Sequence, residues 1–404
     1  MRIALLLAVL CLRAFAADLA DLADLAIIGA KVFPSPDAAP LSNATILIHD
    51  GKIAAIGPNV TVPSGTAKLT CADCFVFAGF WNSHVHFTES KWAKAPTDSA
   101  PVLTRELQEM LTHSGFTTVV DLGSDIRSTS ALRRRIESGE VPGPRIYTAG
   151  SGLYPPNGIP YYLSNLPPEV RASLPQPSSA TDAAALVERN IAAGADVLKL
   201  FTGSYVSPGN VKPMPLDVAR AAVSAAHARH QIAFAHPSNL EGVRIALESG
   251  VDVLAHAPDT VEGVDDALLT ELVSHHMSMI PTLKLFSAEP SILRIRAIVA
   301  KFLQLGGALM FGTDTGFVQD YDLTEEYREL ALSNLSFKDV LAMLTTEPVK
   351  RFGLKDEGRI APGLRADLTV LSADPSSQNL SAFKQVRYTI RAGRVIFDRS
   401  QTTP

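Results

Sequence analysis

The feature that most constrains this chain is a regular alternation of strand-like and helix-like segments between residues 76 and 364. Helical stretches such as LDVARAAVSAAHARH separate the β-type runs, and Gly250 marks the expected end of another helix. Eight parallel strands alternating with helices are typical of a closed (β/α)8 TIM barrel, so we predict an α/β fold of this class for residues 76–364. An open doubly wound sheet is the alternative. The eight predicted strands are FAGFWNSHV, FTTVVDLG, RIYTAGSG, DVLKLFTG, QIAFAHPS, VDVLAHAP, MSMIPTLKLF and ALMFGTDT.

Short strand-like runs also occur on both sides of this region. Residues 25–75 contain LAIIGAKVF and ATILIHDGKIAAIG, with Asp50 and Gly51 as a hairpin signal. Residues 365–400 contain ADLTVLSADP, VRYTIRAG and RVIFD. The two sets pair most economically as one small domain, so we predict a β-sandwich built from residues 25–75 and 365–400.

The first sixteen residues have the pattern of a secretory signal peptide. Arg2 provides a basic start, Ile3 to Leu12 is an apolar run too short to span a bilayer, and Ala14 to Ala16 provides small residues for cleavage. We therefore expect a secreted or periplasmic protein without a membrane span, although a retained N-terminal helix is the alternative.

Composition narrows the class of partner. The 404 residues are 47% hydrophobic and 19% charged, which is enough to bury a large core. A formal net charge of −5 without basic clusters argues against nucleic acid and favours a small-molecule partner. The sequence leaves open whether the chain forms a homo-oligomer.

Three cysteines are present, and Cys11 would leave with the signal peptide. Cys71 and Cys74 remain, and a disulfide between them requires a turn at Ala72 and Asp73. An oxidising compartment would permit this bond, whereas zinc binding usually needs a second ligand pair nearby. We treat the pair as a structural clip, with the disulfide left open.

Polar residues stand where several predicted strands end. In a barrel of this class, the carboxyl ends of all strands converge on one cavity, so distant residues can share a site. The remaining histidines, at 49, 113, 227, 230, 275 and 276, lie in a turn or near helix ends, and we expect them to be structural. The strand-end residues are His84, His86, Lys199, His236, His256 and Asp314.

His84 and His86 are separated by one residue on a predicted strand, so both imidazoles lie on the same face. Two histidines at this spacing chelate one ion, and with further strand-end histidines and Asp314 they indicate a metal centre. Imidazole and carboxylate ligands suit zinc, with manganese, cobalt and iron as alternatives.

The sequence resembles the amidohydrolase superfamily of metal-dependent hydrolases over nearly its whole length. The resemblance rests on HVHF at 84–87, GADVLKLFTG at 194–203, GVDVLAHAPD at 250–259, TDTG at 313–316 and GRIAPGLRADLTVL at 358–371. The lysine in GADVLKLFTG resembles the branch that contains imidazolonepropionase-like and prolidase-like carboxypeptidases, in which the lysine of strand four is carbamylated.

This resemblance implies two divalent metal ions bridged by carbamylated Lys199. Lys199 without the modification, beside a single ion, is the alternative. The first ion would bind His84, His86 and Asp314, and the second would bind His236 and His256.

Metal coordination lowers the pKa of bound water to about 7, so a metal-bound hydroxide can attack a carbonyl at neutral pH. Asp314 is then the expected catalytic proton shuttle, with a role as ligand only as the alternative. We expect cleavage of an amide or peptide-like C–N bond in a dipeptide, an N-acyl amino acid or a cyclic amide. Hydrolysis of an ester, lactone or phosphoester is the second hypothesis, and a non-catalytic binding protein is a remote third.

Substrate choice is the least determined property. Many members of the carboxypeptidase-like branch have a second histidine beside the ligand of strand five, in the sequence HAH. This chain has Pro237 in that place, so we do not carry over the substrates of those members. The segment from Tyr154 to Ser179 is rich in proline and tyrosine, and we expect it to act as a lid or to form a wall of the substrate site. Tyr154, Thr202 and Tyr205 are the candidate substrate contacts.

Overall fold

The computed structural model of the chain describes residues 24–377 and 379–401. The predicted signal peptide at 1–16 and Cys11 lie outside these residues. The chain folds into two compact units. One contains the described residues up to Phe80, Leu111–Thr117 and the residues from Phe337 onward, and the other contains Trp81–Met110 and Thr118–Ser336.

The first unit is built on one hydrogen-bonded sheet of eight strands, in the order β18-β17-β16-β5-β1-β2-β3, with β4 paired to β1. The predicted hairpin is confirmed, because β2 and β3 are antiparallel and Asp50 and Gly51 have φ of 47° and 70°. Phe337–Leu344 and Thr346–Arg351, which the predicted boundaries assign to the barrel, belong to this unit. The strands are β1 (Leu25–Val32), β2 (Leu41–His49), β3 (Lys52–Gly57), β4 (Ala67–Thr70), β5 (Phe75–Ala78), β16 (Leu368–Leu371), β17 (Val386–Arg391) and β18 (Arg394–Asp398).

Alternating apolar side chains of this sheet form a buried core that includes Ile27, Ile46, Val76 and Leu368. The cysteine pair packs into the same core. Ala72 and Asp73 form the turn that a disulfide requires, the Cα atoms of Cys71 and Cys74 are 5.2 Å apart, and the disulfide is formed. It is a structural clip between β4 and β5.

All eight strands predicted between residues 76 and 364 are present. They divide into a three-stranded sheet, β6-β7-β8, and a five-stranded sheet, β15-β14-β13-β12-β9, whose neighbours are parallel. Two isolated parallel bridges pair Val85 of β6 with Thr315, which follows β15, and Leu200 of β9 with Leu153, which follows β8. Within the described residues, these strands form two separate sheets and not one closed sheet. The strands are β6 (Phe80–Val85), β7 (Phe116–Asp121), β8 (Arg145–Thr148), β9 (Leu198–Phe201), β12 (Ala233–His236), β13 (Val253–Leu254), β14 (Ser278–Met279) and β15 (Ala308–Leu309).

Helices alternate with these strands, as the sequence predicts, and the α/β class is confirmed. Asn239 caps one of them by accepting a hydrogen bond from the Gly242 N–H at 2.9 Å, and Gly250 ends it with φ of 83°. The helices of the chain are α1 (Ala100–Met110), α2 (Ile126–Glu137), α3 (Pro168–Ser173), α4 (Ala180–Ala192), α5 (Leu216–His227), α6 (Leu240–Ser249), α7 (Asp266–Ser274), α8 (Leu283–Phe286), α9 (Ile292–Gln304), α10 (Thr324–Leu332), α11 (Phe337–Leu344) and α12 (Thr346–Arg351).

Two connections carry structure of their own. The predicted lid contains the 3-10 helix Tyr161–Leu163 and the short helix α3. After β9, an antiparallel hairpin forms from β10 (Gly203–Ser207) and β11 (Asn210–Pro213), which sequence reasoning missed because Ser and Gly dominate its first strand and turn. In the described part of the chain, no helix has the length and hydropathy needed to cross a bilayer.

Candidate metal centre

The two histidines of the HVH motif lie at the end of β6, and the period of two along a strand places their rings on the same side. Their Nε2 atoms are 3.2 Å apart. His84 is fully buried, and the side chain of His86 is 15% exposed. The two histidines predicted to chelate one ion therefore have their Nε2 atoms close together.

Backbone carbonyls fix the orientation of both rings. His84 Nδ1 lies 2.7 Å from the carbonyl oxygen of Ala255, and His86 Nδ1 lies 2.9 Å from that of Gly123. A carbonyl oxygen only accepts hydrogen bonds, so each Nδ1 carries the proton. In a neutral ring the lone pair is then on Nε2, and the two lone pairs face the same point.

Asp314 brings a carboxylate to that point. Its Oδ1 atom is 3.1 Å from His84 Nε2 and 2.9 Å from His86 Nε2. The backbone of Asp314 is left-handed, with φ of 55°, and its N–H donates to the carbonyl of His84 at 2.9 Å. Although Asp314 is buried, its Oδ1 lacks a hydrogen-bond donor within the described residues. Three acceptor atoms this close together repel one another unless a cation lies between them.

His256 and His236 extend the cluster. The ring centroid of His256 is 4.5 Å from that of His84 and 4.6 Å from that of His236. Ligand atoms of His84, His256 and Asp314 all lie within 4.8 Å of one another. The donor set of imidazoles and one carboxylate fits a divalent ion such as zinc.

His236 is held by an aromatic stack. The parallel register of β9 and β12 sets His236 beside Phe201, and their rings are stacked with centroids 4.9 Å apart. Tyr154 also stacks on Phe201, with ring centroids 4.4 Å apart. The stack therefore connects the start of the predicted lid to a predicted ligand.

Lys199 lies on β9 and is almost completely buried. Its Nζ is 5.5 Å from the ring centroid of Phe201, and no carboxylate of the described residues forms an ion pair with it. Burial lowers the pKa of Lys199 to about 7, against the opposing charge of Asp314. A neutral amine removes the repulsion that an ammonium would exert on a nearby metal ion.

The pKa directions at the cluster distinguish the neutral rings from the ionised carboxylate. Burial lowers the pKa of His84 to about 4 and that of His236 to about 3, so these rings are neutral. Burial also lowers the pKa of His86, but the carboxylate of Asp314, whose Oδ1 lies 2.9 Å from His86 Nε2, outweighs it and the pKa is raised. Burial would raise the pKa of Asp314, yet His84 and His86 hold it well below its usual range. Asp314 is therefore ionised.

The other histidines lie away from these six residues. His227, in the last turn of α5, pairs with Asp252 at 2.8 Å, and His49 lies 3.5 Å from Asp24. His230 and His276 adopt left-handed backbone conformations just after helices, and His275 caps α7. His113 lies in the 3-10 helix Thr112–Ser114.

The three candidate substrate contacts have different surroundings. Tyr154 is buried in the stack described above, and burial raises its pKa. Thr202 has no exposed surface, and its hydroxyl donates to the His236 carbonyl at 3.3 Å, a geometry that favours a packing role. Tyr205 is half-buried, with its hydroxyl 2.6 Å from Thr260 Oγ1. Of the three, Tyr205 has the surroundings most suited to a substrate contact.

Several residues at the site were missed by sequence reasoning. Asp121, at the end of β7, accepts hydrogen bonds from Thr148 Oγ1 at 2.6 Å and from Ser124, close to the Gly123 carbonyl that orients His86. Thr282 lies 2.8 Å from His256 Nδ1. Asp259 follows His256, and burial raises its pKa to about 6. Asp121 is the last residue of β7 and Thr282 follows the end of β14, and this position was the available signal.

A cavity of about 490 Å³ lies in the lid segment, lined by residues that include Tyr161, Arg171 and Gln176. None of the six predicted ligands lines it. The ring of the neighbouring Tyr162 packs against Phe317, with centroids 5.3 Å apart, and burial together with the charges of Tyr154, Asp314 and Asp259 raises the pKa of Tyr162 well above its usual range. The cavity is thus separate from the six predicted ligands.

The α/β fold brings histidines and an aspartate together at its strand ends, a donor set that could hold a divalent ion. Among known protein families, residues 75–396 match the amidohydrolase family, and the chain belongs to that family. The superfamily expected from the sequence is thereby confirmed.

Curated relatives include the ochratoxinase of Aspergillus niger, which is 25% identical over 262 residues, or 57% of this chain. The match covers 54% of that protein, so the chain spans about half the length of the curated relatives it matches.

Solved structures with the same fold cover nearly the whole chain. A Xaa-Pro dipeptidase with bound methionine has a TM-score of 0.77 and 22% identity, over 92% of this chain and 99% of the other. The A. niger ochratoxinase structure has a TM-score of 0.73 and 20% identity, over 93% and 96%. A prolidase complexed with n-methylphosphonate-l-proline has a TM-score of 0.75 and 22% identity, over 93% and 100%.

Proposed function

We propose that this protein is a metal-dependent amidohydrolase that cleaves an amide or peptide-like C–N bond in a small molecule. The observation that carries the proposal is the convergence of His84 Nε2, His86 Nε2 and the donor-free Asp314 Oδ1 within 3.2 Å. A divalent cation between these three acceptors would remove their mutual repulsion, and family membership supports the chemical class.

A bound divalent ion lowers the pKa of a coordinated water to about 7 and polarises a carbonyl oxygen. The chain's own residues then position and move the proton. Asp314 is ionised, so it accepts a proton from water on Oδ2 or Oδ1 and can donate it to the leaving nitrogen. His84 and His256 stay neutral and keep their lone pairs available as ligands.

For the metal number, we propose two ions bridged by Lys199 after its carbamylation, with His84, His86 and Asp314 on one ion and His236 and His256 on the other. The resemblance of the sequence and the burial of Lys199 among these ligands support this proposal. A single ion beside unmodified Lys199 is the competing proposal. Metal content measured after reconstitution with and without bicarbonate separates them: two equivalents support the bridge, and one equivalent under both conditions contradicts it.

We further propose that the eight strands form a closed (β/α)8 barrel, which the bridges Val85–Thr315 and Leu153–Leu200 support. The named dipeptidase and prolidase structures make dipeptides the first substrates to test, and the ochratoxinase relatives add other amides.

We also propose that residues 1–16 direct secretion and are removed. Amino-terminal sequencing of secreted protein should then begin at Ala17, and a start at Met1 would refute this.

The function is tested with zinc-loaded protein on dipeptides, N-acyl amino acids, cyclic amides and aryl esters. We expect turnover of at least one amide class, and turnover of esters alone would favour the esterase hypothesis. His84→Ala should lose metal and activity, because it removes a ligand. The matched control His227→Ala removes a histidine at the end of α5 that pairs with Asp252. This variant should retain metal and activity. Normal metal content in His84→Ala would contradict the proposed site.

A further inference from the structure

Thr282 has a backbone conformation that β-branched residues seldom adopt. It lies between β14 and α8, with φ of 47° and ψ of 50°, and its side chain is fully buried. Left-handed conformations of such residues persist only where the surroundings enforce them, and they concentrate at functional sites. The conformation therefore raises the question of what holds Thr282 and what it does.

The carboxylate of Glu326 holds the backbone that follows Thr282. Its oxygens accept hydrogen bonds from the N–H groups of Leu283 at 3.1 Å and Lys284 at 2.7 Å. Glu326 is itself buried, on α10. Two hydrogen bonds to consecutive amides leave the peptide after Thr282 little freedom, which accounts for the unusual conformation.

The Thr282 hydroxyl determines the tautomer of His256. It donates its only hydrogen to the Pro281 carbonyl at 2.8 Å. Towards His256 Nδ1, also at 2.8 Å, it can then only accept, so Nδ1 must carry the proton and Nε2 the lone pair. His84 and His86 obtain the same tautomer from backbone carbonyls, whereas His256 depends on a side chain.

We propose that Thr282 is a positioning residue that orients the His256 ring and selects Nε2 as its metal-binding atom. The inference rests on the proposed metal site. Hydrogen bonds behind a ligating imidazole commonly contribute 10-fold to 100-fold to metal affinity. Because the acceptor here is a hydroxyl, its contribution can be removed by substitution.

The first test compares Thr282→Val with Thr282→Ser in zinc competition against a chromophoric chelator. Valine has nearly the shape of threonine but no hydroxyl, so its zinc affinity should fall about 10-fold to 100-fold. Serine keeps the hydroxyl and should stay within about 3-fold of wild type by the same reasoning. Unchanged affinity in the valine variant, or equal loss in both variants, would overturn the proposal.

A second measurement uses the wild-type chain and does not depend on how the variants fold. In ¹⁵N-histidine NMR spectra of zinc-loaded protein, the His256 signals, assigned by their loss in His256→Gln, should show a proton on Nδ1 and zinc on Nε2. Zinc on Nδ1 would overturn the proposal. If wild type binds no metal, the proposed function fails, yet the tautomer of metal-free His256 still tests Thr282: a proton on Nε2 would overturn its role.

Discussion

At the residue scale, the metal centre depends on backbone positions that tolerate few substitutions. Asp314 has a left-handed backbone, and Gly316, two residues later, has φ of 100°. A Cβ at Gly316 would overlap the carbonyl oxygen of His86. The turn that presents Asp314 to the histidines therefore requires a glycine on both conformational and steric grounds.

Gly316→Ala should therefore be costly, and Gly306→Ala is its matched control. Gly306 also has a positive φ, of 90°, but an added Cβ there meets open space. We expect the control to lose about 1 kcal/mol from the left-handed conformation alone. Gly316→Ala should lose about 3 kcal/mol or more, with weaker zinc binding. Urea unfolding and zinc titration of both variants measure this, and equal losses would refute the steric argument.

At the element scale, α10 carries two buried carboxylates that bind groups on neighbouring helices. Besides Glu326, it carries Glu329, whose side chain is fully buried and forms a two-pronged pair with Arg296 of α9 at 2.5 and 2.7 Å. Buried carboxylates are tolerated only when their oxygens are paired or hydrogen-bonded. Both carboxylates meet that condition, one through amides and one through a guanidinium.

Glu326 should make stability depend on pH. Burial, reinforced by the charge of Glu329 and opposed by backbone hydrogen bonds and Lys284, raises the pKa of Glu326 to about 7 from the usual 4.5. A raised folded-state pKa means that its stabilisation is full below about pH 4.5 and is lost as the pH rises through 7.

Compared with Glu326→Gln, wild type should lose up to about 3 kcal/mol of unfolding free energy between pH 5 and pH 8. Tyr327 also faces Glu326 but titrates above this window. The control Glu325→Gln removes the same charge at the adjacent, partly exposed position and should follow wild type within about 0.5 kcal/mol. Parallel pH curves for wild type and Glu326→Gln would show that the buried carboxylate does not titrate in this window.

Removal of Arg296, the partner of the buried Glu329, gives a separate prediction. Arg296→Met keeps an apolar stem but leaves Glu329 buried beside an uncharged side chain, so we expect a loss of about 3–5 kcal/mol. Arg244→Met breaks the pair with Glu271, in which both side chains are about half exposed, and should cost less than about 1 kcal/mol. Chemical denaturation of both variants provides the comparison, and a small loss in Arg296→Met would mean that water or Arg328 compensates.

At the scale of the whole molecule, the proposed metal site lies within one of the two compact units. All six predicted ligands belong to the unit of residues 81–110 and 118–336. An ion that binds only the folded state stabilises the unit that contains its ligands.

Chelation should therefore lower the stability of that unit. At zinc concentrations about 100 times the dissociation constant, the loss on metal removal should be about 2.7 kcal/mol. Calorimetry with and without chelator measures it, and His84→Ala should show little response. An equal response in His84→Ala would mean that the stabilising metal binds elsewhere.

Local patterns predicted the strands and the residues that end them. All eight strand segments, the Asp50–Gly51 hairpin and the Gly250 helix end follow from periodicity and turn chemistry within a few residues. The β10–β11 hairpin was missed because its residues have weak strand preference, and its pairing depends on contacts with other segments. The convergence of His84, His86 and Asp314 was predictable because strand ends in this class of fold meet at one edge.

The sequence by itself determined the α/β class, the family and the set of residues that meet at the strand ends, because these depend on local periodicity and on motifs. Only the tertiary structure decided which imidazole nitrogen is free, that Asp314 Oδ1 lacks a donor, and that Thr282 stands behind His256. Those properties depend on hydrogen bonds between residues far apart in the sequence, such as His84 and Ala255, which are 171 positions apart, and on small differences in interatomic distance. Local sequence patterns carry no record of such distances, since they arise only when separate strands pack together.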